Sequence, residues 1–219
     1  MIVAIDGPAG VGKSTVAKQL AARLKYLYLD TGALYRAVAW ATLQNSFDPT
    51  DAGAVTGLLP SLDIQMQFKN DAVCMSVNGK DVTGELRTSD VSSAASVVSA
   101  IPAVRAWLLP VQRKIGLQGS VVAEGRDIGT HVFPEAPIKF FLEADPLVRA
   151  ERRHRELVAA GHCGALDQTS EELAGRDHRD RSRAVAPLVP AEDAHHIDTS
   201  ALSAEDVVNR MLAIVAAKL

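Results

Sequence analysis

An eight-residue string near the start of the chain carries the strongest chemical signal in the sequence. Residues 7–14, GPAGVGKS, match the pattern G-x-x-x-x-G-K-[ST] in full. Glycines in this pattern let successive backbone N–H groups turn inward around phosphate oxygens, and the lysine neutralises phosphate charge. We therefore predict a P-loop for a nucleoside triphosphate, with Lys13 on the β- and γ-phosphates and the Ser14 hydroxyl on Mg²⁺. The predicted binding residues are Gly7, Pro8, Ala9, Gly10, Val11, Gly12, Lys13, Ser14 and Thr15.

A P-loop alone leaves the reaction open. A guanine-binding switch would also carry N-K-x-D, and a protein kinase H-R-D-x-x-x-x-N, but neither string occurs. Residues 81–84 match D-x-x-G, although four-residue matches arise by chance. Three interpretations of the motif therefore stay open. They are a nucleotide kinase, a kinase of another small metabolite, and a P-loop switch that signals by conformation.

Arginines are concentrated in the last third of the chain. Residues 149–183 contain eight arginines, seven acidic residues and no lysine. Arginine presents a rigid fork that grips phosphate through two hydrogen bonds, whereas lysine acts as a point charge. The alternative is a pair of solvated helices held by ion pairs. Arg176, Asp180 and Arg183 are spaced by four and three residues, so one helical face would carry all three, which favours a binding role.

Two further polar groups follow predicted strands. Residues 30–36, DTGALYR, come after the second strand, and residues 124–127, EGRD, come after a later one. Ligand sites of α/β proteins gather at the carboxyl ends of strands. Each group could instead be a helix cap, but beside a P-loop both are candidates for an acceptor site.

The arginines indicate what kind of acceptor the site would take. A phosphate monoester has a second pKa near 6, so it is largely a dianion at pH 7 and already a nucleophile. The difficulty is then to hold two anions together, which arginines and Mg²⁺ achieve by positioning and charge neutralisation. An arginine-rich segment that closes over the site would also exclude water.

The elements that position these groups alternate between strand and helix, which predicts a parallel sheet covered on both faces. Apolar runs predict strands over residues 2–6, 26–29, 120–123, 138–142 and 195–197. Helical periodicity predicts helices over residues 13–25, 33–43, 52–59, 89–99, 103–115, 146–160, 170–183 and 203–219.

A different pattern interrupts this alternation. Residues 62–68, 72–77 and 80–82 predict short antiparallel strands, with turns at 70–71 and 78–79. The second turn is Asn-Gly, a strong hairpin signal. Residues 161–168 predict a mobile loop.

Composition restricts the class of protein. Of 219 residues, 47% are hydrophobic and 22% charged, which is close to the globular average and excludes a disordered chain. The net charge of −3 argues against a nucleic-acid-binding protein, and no apolar run is long enough to span a membrane. Two distant cysteines exclude a disulfide framework and fit a reducing cytoplasm.

Four strings, spread in order over nearly the whole chain, resemble the bacterial cytidylate kinases. They are GPAGVGKST, LDTGALYRA, VVAEGRDIGTHVFPEAPIKFFLEA and RDHRDRSRAVAPLVPAEDA. The last two are more specific than the P-loop and separate this family from adenylate, guanylate and thymidylate kinases. The resemblance implies a P-loop α/β fold, ATP as phosphoryl donor with Mg²⁺, and CMP or dCMP as acceptor. We also expect a cytoplasmic monomer.

The resemblance also implies roles for particular residues. The CMP phosphate would be held by Arg36, Arg126 and Arg183, the cytosine edge by Ser96, Arg105 and Asp127 with Thr31 nearby, and the ribose hydroxyls by Asp180 with Arg176. The implied catalytic residues are Lys13, Arg126, Arg176 and Arg183. Glu124 stands where other members have aspartate, and Ser14 where some have glycine.

A single kinase domain over residues 1–219 would contain these sites. Its core would be residues 1–60, 85–148 and 184–219. A small antiparallel insert at about 61–84 would belong to the monophosphate-binding region, and an arginine-rich lid would span about 149–183.

Overall fold

The computed structural model describes residues 1–69, 72–159, 161 and 163–218. They form two compact units. The first joins Met1–Leu29 to Gly116–Leu219, and the second is Asp30–Ile115. The P-loop string belongs to the first unit.

The elements follow one another along the chain as the hydrophobic pattern indicates. In order they are β1 (Ile2–Asp6), α1 (Lys13–Leu24), β2 (Leu27–Asp30), α2 (Thr31–Gln44), α3 (Ala52–Leu58), a 3₁₀ turn (Leu59–Ser61), β3 (Ile64–Lys69), β4 (Ala72–Val77), β5 (Lys80–Asp81), α4 (Ser89–Val98), α5 (Pro102–Gly116), β6 (Val121–Gly125), a π-helical turn (Ile128–Val132), β7 (Ile138–Glu143), α6 (Pro146–Ala159), α7 (Leu166–Ser182), β8 (His195–Asp198) and α8 (Ala204–Ala216).

The first unit is built on a five-stranded parallel sheet of order β2-β6-β1-β7-β8. The central strand β1 pairs with both β6 and β7, so that Asp6 lies opposite Gly125 and Phe141. The carboxyl ends of parallel strands meet at one edge of a sheet. The P-loop after β1 and the EGRD segment at the end of β6 therefore emerge at the same edge, which confirms the predicted fold class.

Helices cover the sheet because their apolar residues recur on one face. Helix α1 buries Val16 and Leu20, and these pack with Phe140 of β7 and Met211 of α8 in one core cluster. Helix α8 starts at a capping box in which the Ser203 hydroxyl accepts the backbone N–H of Asp206 at 3.1 Å. This core fixes the start of α1, and with it the P-loop.

The second unit contains helices α2 to α5 and a three-stranded antiparallel sheet of order β3-β4-β5. Asn78 and Gly79 both have positive φ, 50° and 79°, as the predicted Asn-Gly hairpin between β4 and β5 requires. The predicted turn at Asn70 and Asp71 lies outside the described residues, as do the predicted helix ends at residues 160 and 219.

Helix α7 corrects one prediction. It begins at Leu166, inside the segment predicted as a mobile loop, and four residues before the predicted helix. The side-chain carbonyl of Gln168 accepts the backbone N–H of Ala165 at 3.3 Å and closes the first turn. Leu166 and Leu173 pack with Ala150 of α6, so the apolar contact that extends the helix comes from a different element.

Two smaller differences concern the start of helix α2 and the turn that follows β6. Helix α2 begins at Thr31 rather than at residue 33, because the Asp30 carboxylate accepts the backbone N–H of Ala33 at 3.0 Å and caps the helix. The π-helical turn Ile128–Val132 was not predicted. Nothing in the periodicity of five residues distinguishes it from a loop.

Within the described residues, no single helix is long and apolar enough to cross a membrane. Helices α4 and α5 meet that criterion of length and composition only as a pair, which is bent by 102°. Both cysteines are free; Cys74 is half-buried and Cys163 is exposed.

Candidate active site

The P-loop has a backbone that only glycine can adopt at two close approaches. Gly7 has φ +149°, and a Cβ there would lie 2.3 Å from the carbonyl oxygen of Leu142 in β7. Gly10 has φ +78°, and its Cβ would lie 2.9 Å from the carbonyl oxygen of Arg149 in α6. The loop is thus clamped between β7 and α6, and any side chain at these positions would displace it.

Lys13 is buried at the start of α1 and lies among the other charged groups of the site. Its side chain is 6% exposed, and Nζ donates to the carbonyl oxygen of Pro8 at 2.5 Å. Burial lowers the pKa of Lys13 well below its usual 10.5, and the charge of Arg126 lowers it further, against the opposing charge of Glu124. A bound polyphosphate would reverse this penalty, so the site favours an anion beside Lys13.

A network of two arginines and two aspartates connects the segment after β6 with the end of α7. Arg126 Nε donates to Asp180 Oδ2 at 2.9 Å, and the Arg183 guanidinium lies 3.7 Å from the other oxygen of Asp180. A second nitrogen of Arg183 donates to Asp127 Oδ1 at 3.3 Å. Asp127, Asp180 and Arg183 are all buried. The segment after β6 and the end of α7 therefore meet through alternating charges.

The Asp180 carboxyl is kept ionised by this network. Burial alone would raise the pKa of Asp180, but the guanidinium groups of Arg126, Arg176 and Arg183 outweigh burial and lower it. The spacing of Arg176, Asp180 and Arg183 predicted that one helical face carries all three. Arg176 and Asp180 lie in α7, but the helix ends at Ser182 and Arg183 follows it with an extended backbone, φ −63° and ψ 141°, so this prediction was wrong for Arg183. The charges of both arginines still act on Asp180.

Three further arginines of the cluster differ in burial, since Arg149 is buried and Arg152 and Arg153 are half-buried. Arg149 donates to Asp177 at 2.5 Å and to the carbonyl oxygen of Ala9 in the P-loop at 3.1 Å, and all of this pairing is buried. Arg152 donates to the carbonyl oxygen of Thr199 at 2.7 Å, and Arg153 pairs with Glu156 at the surface. Arg153 thus has an ion pair of the kind that the alternative predicted, whereas Arg152 donates to the carbonyl oxygens of Thr199 and Ser200.

In the second unit, Asp30 collects two arginines. Arg36 donates to Asp30 Oδ2 at 2.7 Å, and Arg87 donates to the same oxygen at 3.3 Å. Burial would raise the pKa of Asp30, but Arg36, Arg87 and the Ala33 N–H together lower it. The Asp30 carboxylate therefore both caps α2 and holds Arg36.

The other predicted residues of the second unit are buried in its helices. Thr31 is the first residue of α2, and Ser96 lies in α4. The Arg105 guanidinium lies over the Tyr35 ring, 5.4 Å from its centre, and donates to the carbonyl oxygen of Ser99 at 3.2 Å. The Tyr35 ring and the Ser99 carbonyl oxygen thus hold the Arg105 guanidinium in place.

Several residues that support the site were not predicted from the sequence. The Tyr28 hydroxyl donates to the Glu124 carboxylate, and the Thr199 hydroxyl donates to the P-loop carbonyl of Val11 at 3.1 Å. Asp6, the last residue of β1, accepts the backbone N–H groups of Ile128 and Gly129. Apart from the acidic residue that ends an apolar run, the sequence carried no signal for these contacts.

Asp6 leads to a prediction about stability and pH. Burial raises the pKa of Asp6 from 3.8 to about 6, against its two backbone hydrogen bonds. Between these two values the native protein binds more protons than the unfolded chain, so the free energy of unfolding should fall as pH rises. We expect a fall of about 2 kcal/mol between pH 4 and 7 in wild type relative to Asp6→Asn. Urea unfolding of both proteins across that range measures it. A difference that does not change with pH would contradict the prediction.

Oxygen donors at the P-loop suit a hard divalent cation. Ser14, which carries a hydroxyl, lies in the first turn of α1. The charge of Glu124 acts on Lys13, the residue before Ser14. Mg²⁺ prefers such oxygen ligands and usually keeps several waters and phosphate oxygens. Among the described residues, no group of three or more His, Cys, Asp or Glu side chains could hold a metal ion.

A parallel sheet with a P-loop after its central strand, and buried arginines at the same edge, defines an α/β nucleotide-binding protein of the P-loop class. The sequence profile of the family Cytidylate kinase matches residues 3–217. The chain belongs to the cytidylate kinase family.

Relatives agree with this assignment over the whole chain. The cytidylate kinase of Geobacillus sp. (strain WCH70) is 46% identical over 213 residues, which cover 97% of this chain and 95% of that protein. The cytidylate kinase of Carboxydothermus hydrogenoformans is 46% identical over 218 residues, covering 100% and 98%. In fold, the chain is similar to a solved structure of an uncharacterized protein from Eubacterium ventriosum, with a TM-score of 0.52, 14% identity, and coverage of 99% and 98%.

Proposed function

We propose that this protein transfers the γ-phosphoryl group of ATP to CMP or dCMP, giving ADP and CDP or dCDP. The relatives named cytidylate kinase support the acceptor, and the P-loop supports the donor. The single observation that carries the reaction is the group formed by Arg126, Asp180 and Arg183, in which the charges of Arg126 and Asp180 act on Lys13.

This charge arrangement suits an acceptor that is already a nucleophile. The dianionic phosphate of CMP needs no general base, and its attack on the γ-phosphorus requires mainly that two anions be held in line. Arg126 and Arg183 would take the acceptor phosphate, while Lys13 follows the charge that moves toward the β–γ bridge oxygen. Asp180 holds both guanidinium groups in advance, so little reorganisation is needed when the substrates bind.

Mg²⁺ would be held by the Ser14 hydroxyl together with phosphate oxygens of ATP. When bound, it would neutralise phosphate charge and orient the γ-phosphoryl group. The contribution of the chain is the half-buried hydroxyl at the start of α1, next to the buried Lys13 ammonium.

The residues proposed to bind CMP are distributed over both units. In the first unit they are Arg126, Asp127, Arg176, Asp180 and Arg183. In the second unit they are Thr31, Arg36, Ser96 and Arg105. The small antiparallel sheet is proposed to belong to the monophosphate-binding region of a single kinase domain. We propose that the protein works in the cytoplasm as a monomer. Its partners would be small-molecule substrates, and it would bind neither nucleic acid nor membrane.

A coupled assay of ADP release tests the function. ATP turnover is measured with CMP, dCMP, UMP, AMP, GMP and no acceptor, at saturating Mg²⁺. We expect turnover that depends on CMP or dCMP. Turnover that is independent of every monophosphate would instead support a P-loop ATPase or switch, and turnover with a metabolite other than a nucleotide would support another kinase.

The arginine-rich segment of residues 149–183 is proposed to act as a lid that closes over the site. Arg149 joins the base of α6 to the P-loop carbonyl of Ala9, so a change at the phosphates would reach the helix directly. We expect a bisubstrate analogue of ATP and CMP to slow hydrogen exchange across residues 149–176. Residues 204–216 of α8, whose apolar side chains pack in the core, serve as an internal control, and their hydrogen exchange should not change. Equal exchange of residues 149–176 with and without the analogue would refute the lid.

A further inference from the structure

Asp6 occupies a position in which its side chain holds another segment of the chain. It is the last residue of β1 and is 4% exposed. Its Oδ1 accepts the backbone N–H of Ile128 at 2.8 Å, and its Oδ2 accepts the backbone N–H of Gly129 at 2.7 Å. One carboxylate therefore binds two consecutive N–H groups across 122 residues of sequence.

These two N–H groups open the π-helical turn Ile128–Val132. The first N–H groups of any helix have no partner within the helix. Here no side chain of the turn itself caps them, and Asp127, the residue before the turn, has φ −147° and ψ 27°. The backbone N–H groups of His131 and Val132 return to the carbonyl oxygen of Asp127. Asp6 thus supplies from β1 the cap that the turn lacks.

The carboxylate of Asp6 is not needed to hold β1 in the sheet. The strand is paired through its backbone on both sides, with Asp6 opposite Gly125 of β6 and Phe141 of β7. The side chain instead addresses the segment that carries Arg126 and Asp127. That segment ends in the pairs Arg126–Asp180 and Arg183–Asp127, whose geometry depends on where the turn begins.

The charges around Asp6 are mixed. Lys13 of α1 attracts the carboxylate, and Asp127 after β6 repels it. From β7, Lys139 lays its aliphatic stem against Gly129, where a Cβ would lie 3.1 Å from Cδ of Lys139 and 3.4 Å from Oδ2 of Asp6. A buried carboxylate close to another carboxylate costs free energy. The two hydrogen bonds of the Asp6 carboxylate both go to this turn. The cost of burying the carboxylate is therefore best explained by a role in positioning Arg126 and Asp127, which precede the turn.

We propose that Asp6 is a positioning residue that sets the start of the Ile128–Val132 turn, and thereby presents Arg126 and Asp127 to the acceptor nucleotide. This inference rests on the proposed function for the identity of that nucleotide. Its structural part, the two hydrogen bonds to consecutive amides, does not depend on it.

The main test compares Asp6→Asn with Asp48→Asn. In Asp6→Asn the side-chain amide keeps one acceptor oxygen but turns an NH₂ group toward the second N–H. Asp48 also accepts a backbone N–H, that of Thr50 at 2.8 Å, but at an exposed site. We expect Asp6→Asn to lower kcat/KM for CMP about 30-fold while the KM for ATP changes less than about threefold. The preference for CMP over UMP should also fall, about tenfold. Asp48→Asn should behave as wild type.

Two further measurements keep the inference testable if Asp6→Asn does not fold. In wild type, the amide proton shifts of Ile128 and Gly129 should titrate with a midpoint near the pKa of Asp6, about 6. Gly129→Ala crowds the same turn from the Lys139 side without changing any charge, and should shift kcat/KM for CMP and the CMP preference in the same direction, by a smaller factor.

The outcomes separate the inference from the function. If wild type shows no CMP-dependent turnover but the two amides titrate, the proposed function fails and the hydrogen bonds stand. If wild type is a CMP kinase and Asp6→Asn retains its kcat/KM and its CMP preference, the positioning role is overturned. Equal losses for CMP, UMP and the KM of ATP would mark Asp6 as a residue of general stability and would also overturn it.

Discussion

Lys13→Ala should lower kcat by about two to three orders of magnitude and leave the protein folded. The Lys13 ammonium is buried and lies at the start of α1 with a lowered pKa, so its charge is costly in the free protein and most favourable when phosphate charge is present. During transfer, negative charge moves toward the β–γ bridge oxygen, and the interaction grows in the transition state. The kcat loss should therefore exceed the change in the KM for ATP.

Steady-state kinetics of ADP release, with circular dichroism and thermal melting as checks of folding, measure this effect. The matched control is Lys18→Ala, which removes an exposed lysine from the same helix and should keep kcat within about twofold of wild type. Near-normal turnover of a folded Lys13→Ala protein would contradict the P-loop assignment.

Asp127→Ala should collapse the preference for CMP over UMP. Cytosine offers an amino donor at N4 beside acceptors at N3 and O2, and a carboxylate is its natural partner. Uracil would turn its O4 carbonyl toward the same carboxylate, leaving two acceptors without a proton between them. A buried unpaired acceptor costs roughly 1–3 kcal/mol, and more when it is charged. Wild type should thus favour CMP by about 100-fold or more in kcat/KM.

The structure sharpens the alternative for Asp127. Its carboxylate is buried and accepts from Arg183 at 3.3 Å, rather than from its neighbour Arg126. If its role were only to hold Arg183 toward the phosphate, Asp127→Ala would depress CMP and UMP activity by the same factor. Asp193→Ala is the control, because Asp193 also pairs with a cation, Lys139, but its side chain is 64% exposed. A ratio of CMP to UMP activity unchanged in Asp127→Ala would remove this residue from base recognition.

Local patterns predicted the elements that carry their own signal. Each of these signals is contained in a short stretch of sequence. They are the apolar runs of β1 and β7, the four-residue spacing in α1 and the Asn-Gly hairpin, and the structure confirms each. The P-loop followed from the same kind of evidence, because its glycines and lysine act within one turn of chain. The edge of the sheet where ligand groups gather also followed, since the alternation of strands and helices implies a parallel sheet.

The features that were not predicted depend on contacts with residues distant in the sequence. Residues 166–168 were predicted as part of a loop, yet they form helix because Leu166 and Leu173 pack with Ala150 of α6. The π-helical turn after Asp127 starts where Asp6 of β1 supplies its cap. Neither neighbour is visible from the residues themselves.

The sequence by itself determined the class of fold, the phosphate loop and, through the resemblance of four strings, the family and the candidate residues. Only the tertiary structure decided which partner each charged side chain takes. Asp127 pairs with Arg183, Arg126 with Asp180, and Arg149 with Asp177 and the P-loop carbonyl of Ala9. Pairs separated by 28 to 140 residues depend on strand order and helix packing, because an ion pair forms only where the fold brings two charges within a few ångströms of each other.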